Sequence, residues 1–85
     1  MSGSVLVAIE GLPPWFEHED LEALCCPFGT VLSTKVVRDT ATYRSLQLGF
    51  VKMGTTDAAQ RVLNDLHTKE VSGHVLRVTI VHDTA

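Results

Sequence analysis

The side chains best suited to catalysis or metal binding are four histidines and two cysteines, and their spacing favours neither chemistry. Cys25 and Cys26 are adjacent, so they cannot easily pair with each other, and no histidine stands at a zinc-ligand spacing from them. The histidines are scattered at His18, His67, His74 and His82. There is also no Gly-rich phosphate loop and no pair of carboxylates placed for acid–base work. The sequence therefore predicts no metal, no cofactor and no enzymatic activity.

Composition favours one small folded domain. The chain has 85 residues, 45% of them apolar, and a net charge of −3. No apolar run approaches the roughly 20 residues of a membrane helix, and two unpaired cysteines suit a reducing compartment. We expect a soluble intracellular protein, nuclear or cytoplasmic, that does not bind membranes. The acidic balance argues against a general polyanion binder. The expected domain spans 5–82, with short tails at 1–4 and 83–85.

Hydrophobic periodicity predicts the elements that position these residues. Apolar residues alternate from Val5 to Ile9, which indicates a strand with one buried face. Leu21, Leu24 and Phe28 follow a helical spacing. The predicted order begins with a strand from Val5 that ends at Gly11, a helix from about 17, and strands at 31–38 and 46–53. A helix capped by Thr55 or Thr56 and ending near His67, a turn at 69–73 and a strand at 75–81 follow. This β-α-β-β-α-β order is typical of an α+β ferredoxin-like sandwich.

Two segments carry a resemblance to a known family. Leu46-Gln47-Leu48-Gly49-Phe50-Val51-Lys52-Met53 and Val7-Ala8-Ile9-Glu10-Gly11-Leu12 resemble the two signature strands of the RNA recognition motif. Weaker matches lie at 27–31, 36–39 and 69–78, so the resemblance spans nearly the whole chain. It implies a four-stranded antiparallel sheet with two helices on one face and RNA on the other. Of its three usual stacking positions only Phe50 is aromatic, since Ala8 and Leu48 occupy the other two.

The resemblance and strand alternation together predict an RNA-binding surface. Five of the seven basic residues are expected on one side of the domain. Single-stranded RNA would bind with modest affinity, through one stacking ring and neutralised phosphates. The predicted contacts are Phe50, Lys52, Lys35, Arg77, Leu48 and Ala8 on the sheet, Arg38, Arg44 and Tyr43 at the hairpin after the second strand, and His82 in the tail.

A loop site is an alternative suggested by a subclass of the same family. Quasi-RNA-recognition motifs also lack sheet aromatics and hold RNA with loops, a role that here would fall to Trp15 with Phe16 and the hairpin residues. A Trp-Phe pair before a helix is also a common hydrophobic clamp on the helix start. Both interpretations stay open from sequence.

A protein-interaction surface is the second function that the sequence suggests. The predicted open face carries a largely aliphatic patch, and such patches often mark contacts with another protein or a second copy. Its members would be Leu6, Ala8, Val37, Leu46, Leu48, Phe50 and Val81. If Leu46 or Leu48 pointed inward instead, the patch would shrink and need no partner.

Overall fold

The computed structural model describes residues 4–81. These residues form six strands and two α-helices, and the expected tail residues beyond them, His82 included, lie outside the described part. The elements are β1 (Val5–Glu10), α1 (His18–Cys25), β2 (Val31–Arg38), β3 (Ser45–Met53), α2 (Thr56–Leu66), β4 (Glu70–Val71), β5 (His74–Val75) and β6 (Arg77–Val81). A 3₁₀ turn, Cys26–Phe28, extends α1 up to Gly29.

Four of the strands form one antiparallel sheet in the order β2-β3-β1-β6. Helix α1 packs on β2 and β3, and α2 packs on β6 and β1. Both helices therefore cover the same face, and the predicted sandwich is confirmed.

The core lies between this covered face and the helices. Alternate strand residues are fully buried there, as the two-residue period requires. The sheet contributes Val7, Ile9, Val51, Met53 and Val78, and the helices contribute Leu21, Cys25, Ala58, Ala59, Val62 and Leu66. No side-chain nitrogen or oxygen is buried without a partner within residues 4–81.

At the start of each helix, a side-chain oxygen accepts a hydrogen bond from a backbone amide that has no partner in the helix. The Glu17 amide donates to the Asp20 carboxylate at 2.8 Å at the start of α1, and the acidic first turn suits the helix dipole. At the start of α2 the Thr55 hydroxyl accepts from the Ala58 amide at 3.1 Å. Of the two predicted caps, Thr55 is the one used.

The region before the last strand differs from the prediction. Residues 70–75, which overlap the expected turn at 69–73, form the short hairpin of β4 and β5, whose turn uses left-handed backbone at Ser72 and Gly73. The backbone of Leu76 pairs back to Thr68 and Lys69, each at 2.8 Å. The last strand of the main sheet consequently starts at Arg77, not at residue 75.

Candidate nucleic-acid interface

Among residues 4–81 both helices pack on one face of the sheet, and Phe50 lies near the centre of the opposite, open face. Phe50 follows the buried Gly49 and precedes the buried Val51 on β3, so its ring is on the open side. It is paired with Ala8 on one neighbouring strand and Lys35 on the other. Ala8 is in turn paired with Thr79 on the edge strand β6. Phe50 therefore has a small neighbour on β1 and a long basic one on β2.

Gly49 explains how the covered side of β3 meets the helices. A Cβ atom at this position would lie 2.6 Å from Cδ2 of Leu21 in α1 and 2.9 Å from Cδ1 of Leu12. The helix therefore approaches the strand too closely for any side chain at position 49. This close packing fixes the register that turns Phe50 outward.

Leu48 and Ala8 lie on the open face, as the sequence predicted. Leu48 is paired with the exposed Glu10, which in turn is paired with Arg77. Neither Ala8 nor Leu48 packs against the buried core. Leu46 is 55% exposed, so the alternative with Leu46 or Leu48 turned inward is wrong.

A bulge interrupts β3 just before Leu48. Gln47 adopts a left-handed backbone with φ 60°. Its carbonyl accepts from the amides of Gly11 at 2.9 Å and Leu12 at 3.1 Å, and its amide donates to the Ser45 hydroxyl at 3.0 Å. The bulge ties the start of β3 to the loop after β1. Because the bulge interrupts strand alternation, the position of Leu46 in the strand does not show on which face it lies. Its side chain is exposed.

Three basic side chains on the sheet are free of acidic partners. Lys35, Lys52 and Arg77 form no ion pair within residues 4–81. Lys35 is beside Phe50, and Lys52 is two residues further along β3, between Ser33 and Leu6. Phosphates of a nucleic acid lying across Phe50 would thus meet positive charge from Lys35 on β2 and from Lys52 further along β3.

Arg38 is held on the helix side of the sheet. Its Nη2 lies 2.5 Å from Oε1 of Glu17 at the start of α1, and its Nη1 donates to the Tyr43 carbonyl at 3.4 Å. The expectation that five of the seven basic residues share one side is therefore wrong for Arg38.

The hairpin between β2 and β3 is a tight, ordered turn. The Asp39 carboxylate accepts from the amides of Ala41 at 2.7 Å and Thr42 at 3.2 Å, and these bonds lower the pKa of Asp39. Tyr43 is 76% exposed, with Cζ of Arg38 5.9 Å from its ring centroid. Arg44 is exposed and has no acidic partner in the described part of the chain. The hairpin thus offers one ring and one free guanidinium.

Trp15 and Phe16 have different surroundings. Phe16 packs against the core, which fits the clamp on the helix start. Trp15 is 58% exposed, and its ring meets His74 of β5 edge-on with centroids 5.6 Å apart. No pattern in the sequence indicates this pair, because it depends on the small hairpin of β4 and β5, where the sequence predicts a turn.

The remaining reactive groups are not assembled into a site. Burial raises the pKa of the Cys25 thiol to about 12, and Cys26 is exposed and unpaired. Among residues 4–81 there is no group of three histidine, cysteine or acidic side chains that could hold a metal ion. Within the same range, neither helix is long and apolar enough to span a membrane.

Comparison with known proteins agrees with this geometry. The chain matches the RNA recognition motif family over residues 7–77. It is 39% identical over 75 residues to RNA-binding protein BRN2 of Arabidopsis thaliana, covering 88% of this chain and 18% of that protein. It is 36% identical over 69 residues to RNA-binding motif, single-stranded-interacting protein 1 of Rattus norvegicus, covering 81% and 17%. The chain thus spans less than a fifth of these relatives.

A solved structure shows the same fold over most of the chain. RNA Binding Protein PG1 superposes with a TM-score of 0.88 at 30% identity, covering 95% of this chain and 98% of that one. The family is non-enzymatic, in agreement with the sequence prediction. With a family match over most of the chain and the same sandwich in space, this protein belongs to the RNA recognition motif family.

Proposed function

We propose that this domain binds single-stranded RNA on its open sheet face, with one base stacked on Phe50. The observation that carries the proposal is the half-buried Phe50, which lies on the sheet face opposite both helices and is paired with Lys35 and Ala8. The names of the two curated relatives, an RNA-binding protein and a single-stranded-interacting protein, support this class of ligand. The proposed site also includes Lys52, Arg77 and Leu48, with Tyr43 and Arg44 as flanking contacts.

The affinity of this face is modest because it has one ring. Stacking a base on an aromatic side chain contributes about 1 to 3 kcal/mol. Compared with a sheet that offers three rings, alanine and leucine at positions 8 and 48 therefore remove roughly 2 to 6 kcal/mol of stacking. Aliphatic contacts with Leu48 restore only part of this.

Phosphate neutralisation supplies the rest of the binding. For single strands, each phosphate paired with a basic side chain makes the slope of log K against log salt more negative by about 0.7. Lys35, Lys52 and Arg77 together should give a slope of about −2. A protein with a net charge of −3 would then still lose RNA affinity as salt is raised.

A titration with short single-stranded RNA followed by amide NMR tests the proposal. Phe50→Leu keeps an apolar side chain but removes the ring, so binding should weaken by about 1 to 3 kcal/mol. Phe50→Tyr keeps the ring and should bind as the wild type does. If no amide of β1, β3 or the Asp39–Arg44 hairpin shifts at millimolar RNA, the proposal fails.

A second function is suggested by the aliphatic side chains of the same face. On this face Val81 is 36% exposed, and Leu6 and Leu48 are half-buried without packing on the core. Leu46, beyond the bulge at Gln47, is 55% exposed. Val37 follows the core-packed Val36 and adds to this patch, which suits another protein of an RNA-processing assembly or a second copy.

Light scattering and pull-down assays test the second function. Leu48→Asp places a charge in the patch and should disrupt a dimer or a captured partner. Ala23→Asp, on the exposed surface of α1, adds the same charge elsewhere and should change neither. An unchanged mass and an unchanged pull-down with Leu48→Asp would dismiss this function.

A further inference from the structure

One acidic residue lies beside the stacking ring. Glu10 is exposed at the end of β1, two residues beyond Ala8, and Ala8 is the direct cross-strand partner of Phe50. Glu10 and Phe50 are therefore diagonal neighbours on one face, a separation of about 7 to 8 Å that long side chains can span. The carboxylate forms no ion pair and no side-chain hydrogen bond within residues 4–81.

A free carboxylate on this face opposes phosphate binding. It is useful to an RNA ligand only through the donors on the edge of a base, since an ionised carboxylate accepts hydrogen bonds and donates none. Guanine alone presents two adjacent donors on its Watson–Crick edge, the N1–H and the N2 amino group, and these match the two oxygens of a carboxylate. Adenine and cytosine offer one amino group beside an acceptor. Uracil offers one N–H between two carbonyls that repel the charge.

Arg77 makes this arrangement compatible with RNA. It is the cross-strand partner of Glu10 on β6, and it too is exposed and has no acidic partner in the described residues. Its positive charge offsets the repulsion between Glu10 and a nearby phosphate. The two side chains thus provide an acceptor for a base and a cation for the backbone at one edge of the Phe50 ring.

We propose that Glu10 is a specificity-determining residue that recognises the Watson–Crick edge of the base stacked on Phe50, and that this site prefers guanine. The inference rests on the proposed RNA function and names the base that the site selects. A bidentate contact of this kind discriminates between bases by about tenfold at an exposed site.

Four uridine pentamers that carry A, C, G or U at the central position test it by NMR titration. The wild type should bind the guanine pentamer about tenfold more tightly than the uridine one. Glu10→Gln keeps the shape but replaces one accepting oxygen by a donor, so the guanine preference should fall to about twofold or less. The uridine pentamer should bind this variant at least as tightly as it binds the wild type.

Glu22→Gln is the matched control. It removes the same charge from the exposed surface of α1 and should leave the guanine preference intact. Equal binding of all four pentamers by the wild type overturns the inference, and so does a preference that survives Glu10→Gln or is lost in Glu22→Gln. Binding without base preference, still weakened by Phe50→Leu, leaves the proposed function standing; absence of any binding removes both.

Discussion

Replacing Gly49 by alanine should destabilise the domain, because α1 and the loop after β1 lie directly on this glycine. The new Cβ would be 2.6 Å from Cδ2 of Leu21 and 2.9 Å from Cδ1 of Leu12, where carbon atoms normally stay about 3.5 to 4.0 Å apart. Both leucines are 0% exposed, so their methyl groups have no open space to move into. Overpacking of this severity costs about 2 to 3 kcal/mol. The better strand propensity of alanine returns about 0.5 to 1 kcal/mol, which leaves a net loss of about 1 to 2.5 kcal/mol.

Urea unfolding measures this loss. With an m-value near about 1 kcal/mol/M for a small domain, the midpoint for Gly49→Ala should fall by more than about 1 M. Gly54→Ala is the matched control, since its Cβ would meet nothing closer than Cβ of Thr30 at 3.3 Å, and it should stay within about 0.5 kcal/mol of the wild type. Equal stability of the two variants would refute the packing argument. The folded Gly49→Ala protein should still bind RNA, because the added methyl group is on the face opposite Phe50.

Three further predictions concern the backbone, the hairpin and the thiols. Thr68→Gly should stabilise the domain by about 1 kcal/mol in urea unfolding, since Thr68 has φ 65°; a loss of stability would contradict this. Glu17→Gln should release Arg38 and lower stability by less than about 1 kcal/mol. The slope of log K for RNA against log salt should become more negative by about 0.7. An unchanged slope in RNA titrations would show that Arg38 does not reach phosphate. After iodoacetamide treatment near neutral pH, mass spectrometry should find Cys26 alkylated and Cys25 unmodified until urea is added. Cys25 is protected because it is fully buried and its pKa is raised. Equal labelling of both cysteines would be evidence against the buried position of Cys25.

The open face was predictable from sequence because one strand sets the orientation of the others. The alternation from Val5 to Ile9 identifies the buried side of β1, and a slip of one residue in any neighbour would expose a whole apolar set. Ala8, Leu48 and Phe50 follow from this single constraint, and the structure confirms their orientation.

The contacts made by Arg38 and Trp15 could not be predicted in the same way. Arg38 meets Glu17, a residue 21 positions earlier, and no local pattern encodes that distance. The pairing of β2 with β3 is also irregular between Val36 and Arg38. This irregularity interrupts the alternation from which the side of Arg38 would have been predicted. Trp15 meets His74 of β5. The hairpin that holds β5 depends on Ser72 in a left-handed conformation, and serine is unusual at such a position.

The negative total charge is a poor guide to the open face, and the structure supplies the reason. Acidic side chains such as Glu19 and Glu22 lie on the exposed surface of α1, beyond the core and on the other side of the sheet. An α-helix with its side chains is about 10 to 12 Å across, and salt screens charges over about 8 to 10 Å near physiological ionic strength. A phosphate on the open face is therefore attracted mainly by the basic side chains beside it. Glu10 is exposed on the open face, diagonal to Phe50, where its carboxylate could reach a base stacked on that ring. A change at position 10 should therefore alter base preference, while a change on α1 should not.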